Sequence, residues 1–271
     1  MAKLSITTAW NETADILRRD FGALFTVALA LNALPQIIFQ ALGPGQMTPG
    51  APPPLGPWML ILPVVVILAM VGTVAISSLA LGRERVVGAA IAHGFRRFLP
   101  LFGASFLLGL AFTLLFVGLA LAFGINVESF MADPKGVGGR LALIVLIFLP
   151  IALFFSIRLM MTTPVAAAET GGPIAILTRS WALTRGHFWK LFGFLLLVVI
   201  VFLVIMMVVG LVFGVLIALV AGKPEPGNFA SLVLLICTGV VNAGVVAVLT
   251  SLIARIYVQL AGDPAVSQVF D

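Results

Sequence analysis

The chain has 271 residues, of which 62% are hydrophobic and only 9% charged. Soluble domains carry about a quarter charged residues, so a chain this apolar cannot cover its surface for water and takes the bilayer as its solvent. A single cysteine, Cys237, and two histidines exclude a disulfide framework and a self-sufficient zinc site, and the net charge of +5 is left to be explained by where it falls.

The first predicted element is an amphipathic helix. Ile6, Trp10, Leu17, Phe21 and Leu24 fall on one face, with Glu12, Asp15, Arg18 and Arg19 on the other. Asp15 and Arg19 stand at a spacing that permits an ion pair on a helix. This stretch runs into Phe21-Gly22-Ala23-Leu24-Phe25 and an apolar span over Gly22–Leu42. Because that span lies behind a charged stretch and no cleavage pattern follows it, it is expected to remain as a transmembrane helix. An uncharged Pro- and Gly-rich connection, residues 43–57, leads to a second span, Trp58–Leu81.

The pattern then recurs. Val86–Phe98 is a weaker amphipathic segment with Gly88, Gly94 and an Arg96-Arg97 pair, and is expected to be short or broken. It runs into Phe98-Leu99-Pro100-Leu101-Phe102 and a third span, Leu99–Phe123. A connection with Glu128, Asp133 and Lys135 leads to a fourth span, Arg140–Met161, which Pro164 is expected to end or bend. Gly171-Gly172-Pro173 predicts a turn before a third amphipathic helix, with Ile174, Leu177, Trp181 and Phe188 on one face and Arg179 and Lys190 opposite. Phe188-Trp189-Lys190-Leu191-Phe192 opens the fifth span, Leu191–Ala221, which is long enough to require tilting or a break. It contains Gly210 and Gly214, a small-residue pair that allows close approach of a helix. A short turn precedes the sixth span, Phe229–Tyr257.

The fold expected is therefore an all-α polytopic membrane protein of six transmembrane helices. It forms one domain over residues 1–271, built as three repeats of an amphipathic interfacial helix plus a transmembrane hairpin, at about 1–82, 83–162 and 163–271. Twelve of the fifteen basic residues lie on the side that carries the amphipathic segments. The positive-inside rule places that side, with both termini, in the cytoplasm. The basic excess is thus a topology signal, and nucleic acid is not an expected partner.

No residue set makes a catalytic signature. The acidic residues are scattered, His93 and His187 stand alone, and no phosphate-binding loop, metalloprotease motif or nucleophile elbow occurs, so neither a metal nor a cofactor is expected. Arg158 and Arg255, near the ends of the fourth and sixth spans, are expected to snorkel to the headgroups. Asn32, Gln36 and Asn242 are the intramembrane polar candidates, read as glue between helices in preference to the lining of a polar cavity, because no acidic proton carrier accompanies them. The densest polar cluster runs from Glu169 to Lys190, where Glu169 is free to pair with Arg179 or Arg185. Arginine beside tryptophan at headgroup depth suits a lipid phosphate. The phosphate-contact candidates are Arg179, Trp181, Arg185 and Lys190, with Arg18, Arg19, Arg96 and Arg97 from the other two segments.

The block Ala175-x-x-x-Arg179-Ser180-Trp181-x-Leu183-Thr184-x-Gly186-x-Phe188-Trp189, preceded by Glu169, resembles the glycerophosphoryl diester phosphodiesterase membrane domain family. The Arg18–Phe25 segment and the six-span arrangement are similar to it as well. In some members this domain is fused to a soluble phosphodiesterase barrel, whose catalytic motifs are absent from this sequence. The resemblance implies fold, a bacterial inner-membrane location and proximity to lipid, not the enzymatic activity. Membrane phospholipids and an envelope protein are the partners this reading admits; a transporter and a headgroup-modifying membrane enzyme are the alternatives.

Overall fold

The computed structural model describes residues 4–42, 56, 58–126, 137–222 and 227–262. Every regular element among them is helical. In chain order these are α1 (Ile6–Ala28), a π-helical turn (Leu29–Ala33), α2 (Leu34–Leu42), α3 (Trp58–Ala80), α4 (Val87–Ala122), α5 (Gly138–Arg158), α6 (Thr162–Ala168), α7 (Pro173–Thr184), α8 (Phe188–Ala221) and α9 (Phe229–Ala261). Six stretches are long and apolar enough to cross a membrane; each overlaps one of the six expected spans, the first and third starting earlier because the amphipathic segment runs into the span. Leucines, valines and phenylalanines stand exposed along all of them. In water such a surface would aggregate, whereas in hydrocarbon it costs nothing.

The three junctions between polar segment and span differ. Ser5 caps α1, its hydroxyl accepting from the Thr8 amide at 3.3 Å. The helix bends at Asp20, whose backbone leaves the helical region at φ −122° and ψ 15°, and then continues into the span. The second segment is neither short nor broken. α4 runs unbroken for 36 residues, through Gly94 and Pro100. Gly94 is there for contact, since a Cβ on it would lie 2.6 Å from the Val71 carbonyl oxygen of α3. In the third segment α7 stops at Thr184, and Arg185, Gly186 and His187 turn the chain into α8. Gly186 takes φ +85°, a left-handed conformation that favours glycine.

The fourth span ends earlier than Pro164 suggested. α5 stops at Arg158, and Pro164 sits in the first turn of α6, where a missing N–H leaves no helical bond unmade. α6 is the most enclosed element, with Pro164, Val165, Ala166, Ala167 and Ala168 all buried. The largest core cluster surrounds it and includes Leu4, Leu101, Ile157, Met161, Ile176, Leu191, Leu252 and Ile256. A second cluster of mostly small residues, among them Ala28, Ala33, Ala75, Ala90, Ala243 and Ala247, joins α1, the π-helical turn, α3, α4 and α9. The fifth span is unbroken over 34 residues. A Cβ on Gly210 or Gly214 would meet nothing within 4 Å, so no described helix of this chain uses that pair for close approach.

Candidate functional site

The polar groups gather at the end of the molecule around α6. A helix C-terminus presents carbonyls without intrahelical donors, and side-chain cations and N–H groups are their natural partners. At α6 these come from α4. The His93 Nε2–H donates to the Ala167 carbonyl at 3.0 Å, and Arg97 donates to the Glu169 carbonyl. The Glu169 side chain has chosen Arg179 over Arg185, accepting from Arg179 Nε at 2.9 and 3.1 Å. It also accepts from the buried Tyr257 hydroxyl at 2.8 Å. One residue therefore ties α4, α7 and α9 together. Tyr257 was missed in the sequence as a site residue, although a signal existed: it is the chain's single tyrosine, and it stands at the end of a span.

The Arg-Ser-Trp block acts on the broken end of α5. The Ser180 and Thr184 hydroxyls both donate to the Arg158 carbonyl, at 3.1 and 3.0 Å. Trp181 lies over the Arg158 guanidinium, 5.2 Å from it, with Phe154 at 5.4 Å and Phe188 at 5.9 Å. Arg158 is thus boxed by aromatic rings instead of extended towards headgroups. Arg255 is also turned inward, its Nε and Nη2 donating to Glu12 at 2.7 Å and joining α9 to α1.

The other basic candidates divide into two groups. Arg18 lies 3.9 Å from Asp15, and Arg19 pairs with its neighbour Asp20 at 2.8 Å and not with Asp15. Lys190 donates to the Leu4 carbonyl at 3.3 Å, which joins the start of α8 to the start of α1. Arg96 and Arg185 are exposed and form no ion pair among the described residues. Three tryptophans stand at this same end, Trp10 53%, Trp181 36% and Trp189 78% exposed.

The three Phe-x-x-Leu-Phe sites share a buried leucine between two neighbouring rings, stacked in the first and third and tilted in the second. Leu24, Leu101 and Leu191 are buried at 0%, 3% and 0% exposure, while the flanking rings face each other at 5.4 Å (Phe21–Phe25), 5.5 Å (Phe98–Phe102) and 6.3 Å (Phe188–Phe192).

Residues 4–260 match a family described as a domain of unknown function, DUF7847. The chain belongs to this family. No curated protein and no solved structure matches it.

Within this DUF7847 domain the intramembrane polar candidates separate. Asn32, on the π-helical turn, is buried, and its amide packs where Gly72 lacks a side chain; a Cβ there would lie 2.4 Å from Asn32 Nδ2. Gln36 and Asn242 instead line a pocket of about 180 Å3 between α2, α8 and α9, with Gln40 and Thr238. Gln40 was overlooked in the sequence, although it continues the Gln36 face one turn on. No group of histidine, cysteine and acidic residues among the described residues is suited to a metal ion.

Proposed function

We propose that this chain is a non-enzymatic, multi-pass protein of the bacterial cytoplasmic membrane that holds anionic phospholipid headgroups at its basic end. One observation carries the reading. Arg96 and Arg185, exposed and without an ion pair among the described residues, stand at the same end as three exposed tryptophans, beside an apolar helical surface. Tryptophan at headgroup depth with arginine beside it is the composition of a phospholipid-facing belt. The Arg-Ser-Trp block does not itself supply the free charge, since Arg179 is held by Glu169 and Trp181 covers Arg158. In this reading the block sets the end of the bundle, and Arg185, Arg96 and Lys190 meet the lipid.

The wider architecture belongs to the same proposal. The shared burial of Leu24, Leu101 and Leu191 supports three repeats of interfacial helix and hairpin, with both termini in the cytoplasm. Kinship with the glycerophosphoryl diester phosphodiesterase membrane domains rests on the Glu169 to Trp189 block, for which the contacts of Glu169, Arg179, Ser180, Trp181 and Thr184 give a common structural reason.

The test is lipid identification by native mass spectrometry on protein extracted into polymer nanodiscs without detergent. Wild type is expected to carry anionic phospholipid in excess over the surrounding membrane, and Arg96→Gln with Arg185→Gln to lose that excess. Bulk-membrane composition in both proteins would sink the reading.

A second reading, a transporter or lipid-translocating protein, draws on the pocket lined by Gln36, Gln40, Thr238 and Asn242. Repeat-built transporters place their sites between helices near the midplane. Asn242→Leu should then abolish transport in reconstituted vesicles while leaving anionic-lipid retention unchanged. A headgroup enzyme using Glu169 and His187 gains no support, because both oxygens of the Glu169 carboxylate are engaged.

A further inference from the structure

A second, wider cavity lies away from the polar cluster. It is an open groove of about 720 Å3 between the start of α1, α8 and α9. Its walls are residues 194–205 of α8 and 241–252 of α9, and its upper end is closed by Ile6, Thr7 and Trp10. Twelve residues of helix rise about 16 Å, roughly half the hydrocarbon thickness of a bilayer, so the groove is one leaflet deep. Thr7 is the one lining side chain that carries a hydroxyl or charge. A groove so lined does not hold water, and within a membrane an acyl chain is what is available to fill it. Gly244 forms part of the α9 wall, and a Cβ on it would meet nothing nearer than Phe25 at 4.0 Å. The groove therefore runs deeper at that point than a side chain would allow.

Charge at the mouth distinguishes a site from ordinary lipid contact. Lys190 stands one helical turn before Phe194, and its ammonium reaches the Leu4 carbonyl, two residues from Ile6. An ammonium has three donors, and that contact uses one. Lys190 is exposed, so the other two donors are open to a phosphate whose chain lies in the groove. We propose that the α1–α8–α9 groove holds one acyl chain of an anionic phospholipid from the basic-side leaflet, with the lipid phosphate on Lys190. This rests on the phospholipid reading above, and adds to it a place, a chain and a headgroup contact.

The full chain in detergent is titrated with dioleoylphosphatidylglycerol, and separately with dioleoylphosphatidylcholine, and bound lipids are counted by native mass spectrometry. Wild type should show one phosphatidylglycerol bound about tenfold more tightly than those that follow. Gly244→Phe should remove that step, and Gly109→Phe, on an exposed face of α4 with open space around it, should keep it. Val201→Trp fills the groove from the half-exposed α8 wall and replaces Gly244→Phe should that variant not fold. Lys190→Gln should reduce phosphatidylglycerol binding severalfold and leave phosphatidylcholine unchanged. A tight step that persists in folded Gly244→Phe or Val201→Trp overturns the groove. If Arg96→Gln with Arg185→Gln removes that persisting step, the headgroup reading survives without the groove. No tight step in wild type sinks both. A dimer that Gly244→Phe dissociates would make the occupant a second copy and overturn the lipid assignment.

Discussion

The Glu169 carboxylate accepts from two residues whose loss should have unequal cost. Its pair with Arg179 is part-exposed, with side chains 33% and 43% accessible, so solvent screens it and it contributes about 0–1 kcal/mol. The Tyr257 hydroxyl is buried, and leaving it without an acceptor costs about 1–3 kcal/mol. Glu169→Ala should therefore destabilise mainly through Tyr257. Tyr257→Phe removes the donor together with its need and should cost about 1 kcal/mol. The double variant should be no less stable than Glu169→Ala alone. Thermal unfolding in nanodiscs measures all three, and a double variant that loses the sum of the single effects would show that the two residues act independently.

Helices in this protein meet through small residues, and α3 against α4 is the case in which the neighbour of the missing Cβ is a backbone atom. With a Cβ at residue 94 only 2.6 Å from a backbone oxygen, the neighbour cannot give way by rotating a side chain. Gly94→Ala should push the two helices apart at a cost of about 1–3 kcal/mol, whereas Gly109→Ala, in open space on the same helix, should be neutral or stabilising. Melting temperatures of the two variants decide it; equal values would remove the close approach as a cause. The elements themselves were legible, because a span reveals itself through about twenty consecutive apolar residues whatever it packs against. Which face packs was not, because the lipid-facing side of a membrane helix is as apolar as its buried side and period loses its meaning. α8 and α9 illustrate this: they carry no apolar stripe, and the groove between them has no one-dimensional trace. α6 was not expected as an element of its own, Pro164 having been read only as ending or bending the fourth span, for a related reason. Thr162-Thr163-Pro164-Val165 followed by three alanines says nothing about burial until α4 supplies His93 and Arg97 to its carbonyls. Glu169 was legible as an ion-pair residue, but choosing Arg179 required the end of α7 at Thr184, which carries Arg185 past the carboxylate. Glu12 and Arg255, 243 residues apart, had no sequence signal linking them.

At the scale of the whole molecule, charge and hydropathy together predict an orientation that can be measured. The basic end holds Arg96, Arg97, Arg179, Arg185, Lys190 and Arg255, joined by contacts that reach α1, α4, α6, α7, α8 and α9. Gly222 and Asn228, which flank α8 and α9 at their far ends, lie 34 residues of helix away from the start of α8. At about 1.5 Å per residue that distance exceeds the hydrocarbon core, so α8, once it crosses, presents its two ends to different aqueous phases. Cationic loops are retained on the cytoplasmic side, so the basic end should face inward. Trp189 and Phe229 are both well exposed and mark the two ends. In a Cys237→Ser background, Trp189→Cys should resist a membrane-impermeant maleimide applied outside intact cells and react once the membrane is opened. Phe229→Cys should react from outside directly. The reverse pattern would invert the proposed orientation and move the phospholipid belt to the outer leaflet. Labelling of both positions from one side would mean that α8 does not cross the membrane, and would remove the bilayer depth on which the groove's one-leaflet length depends.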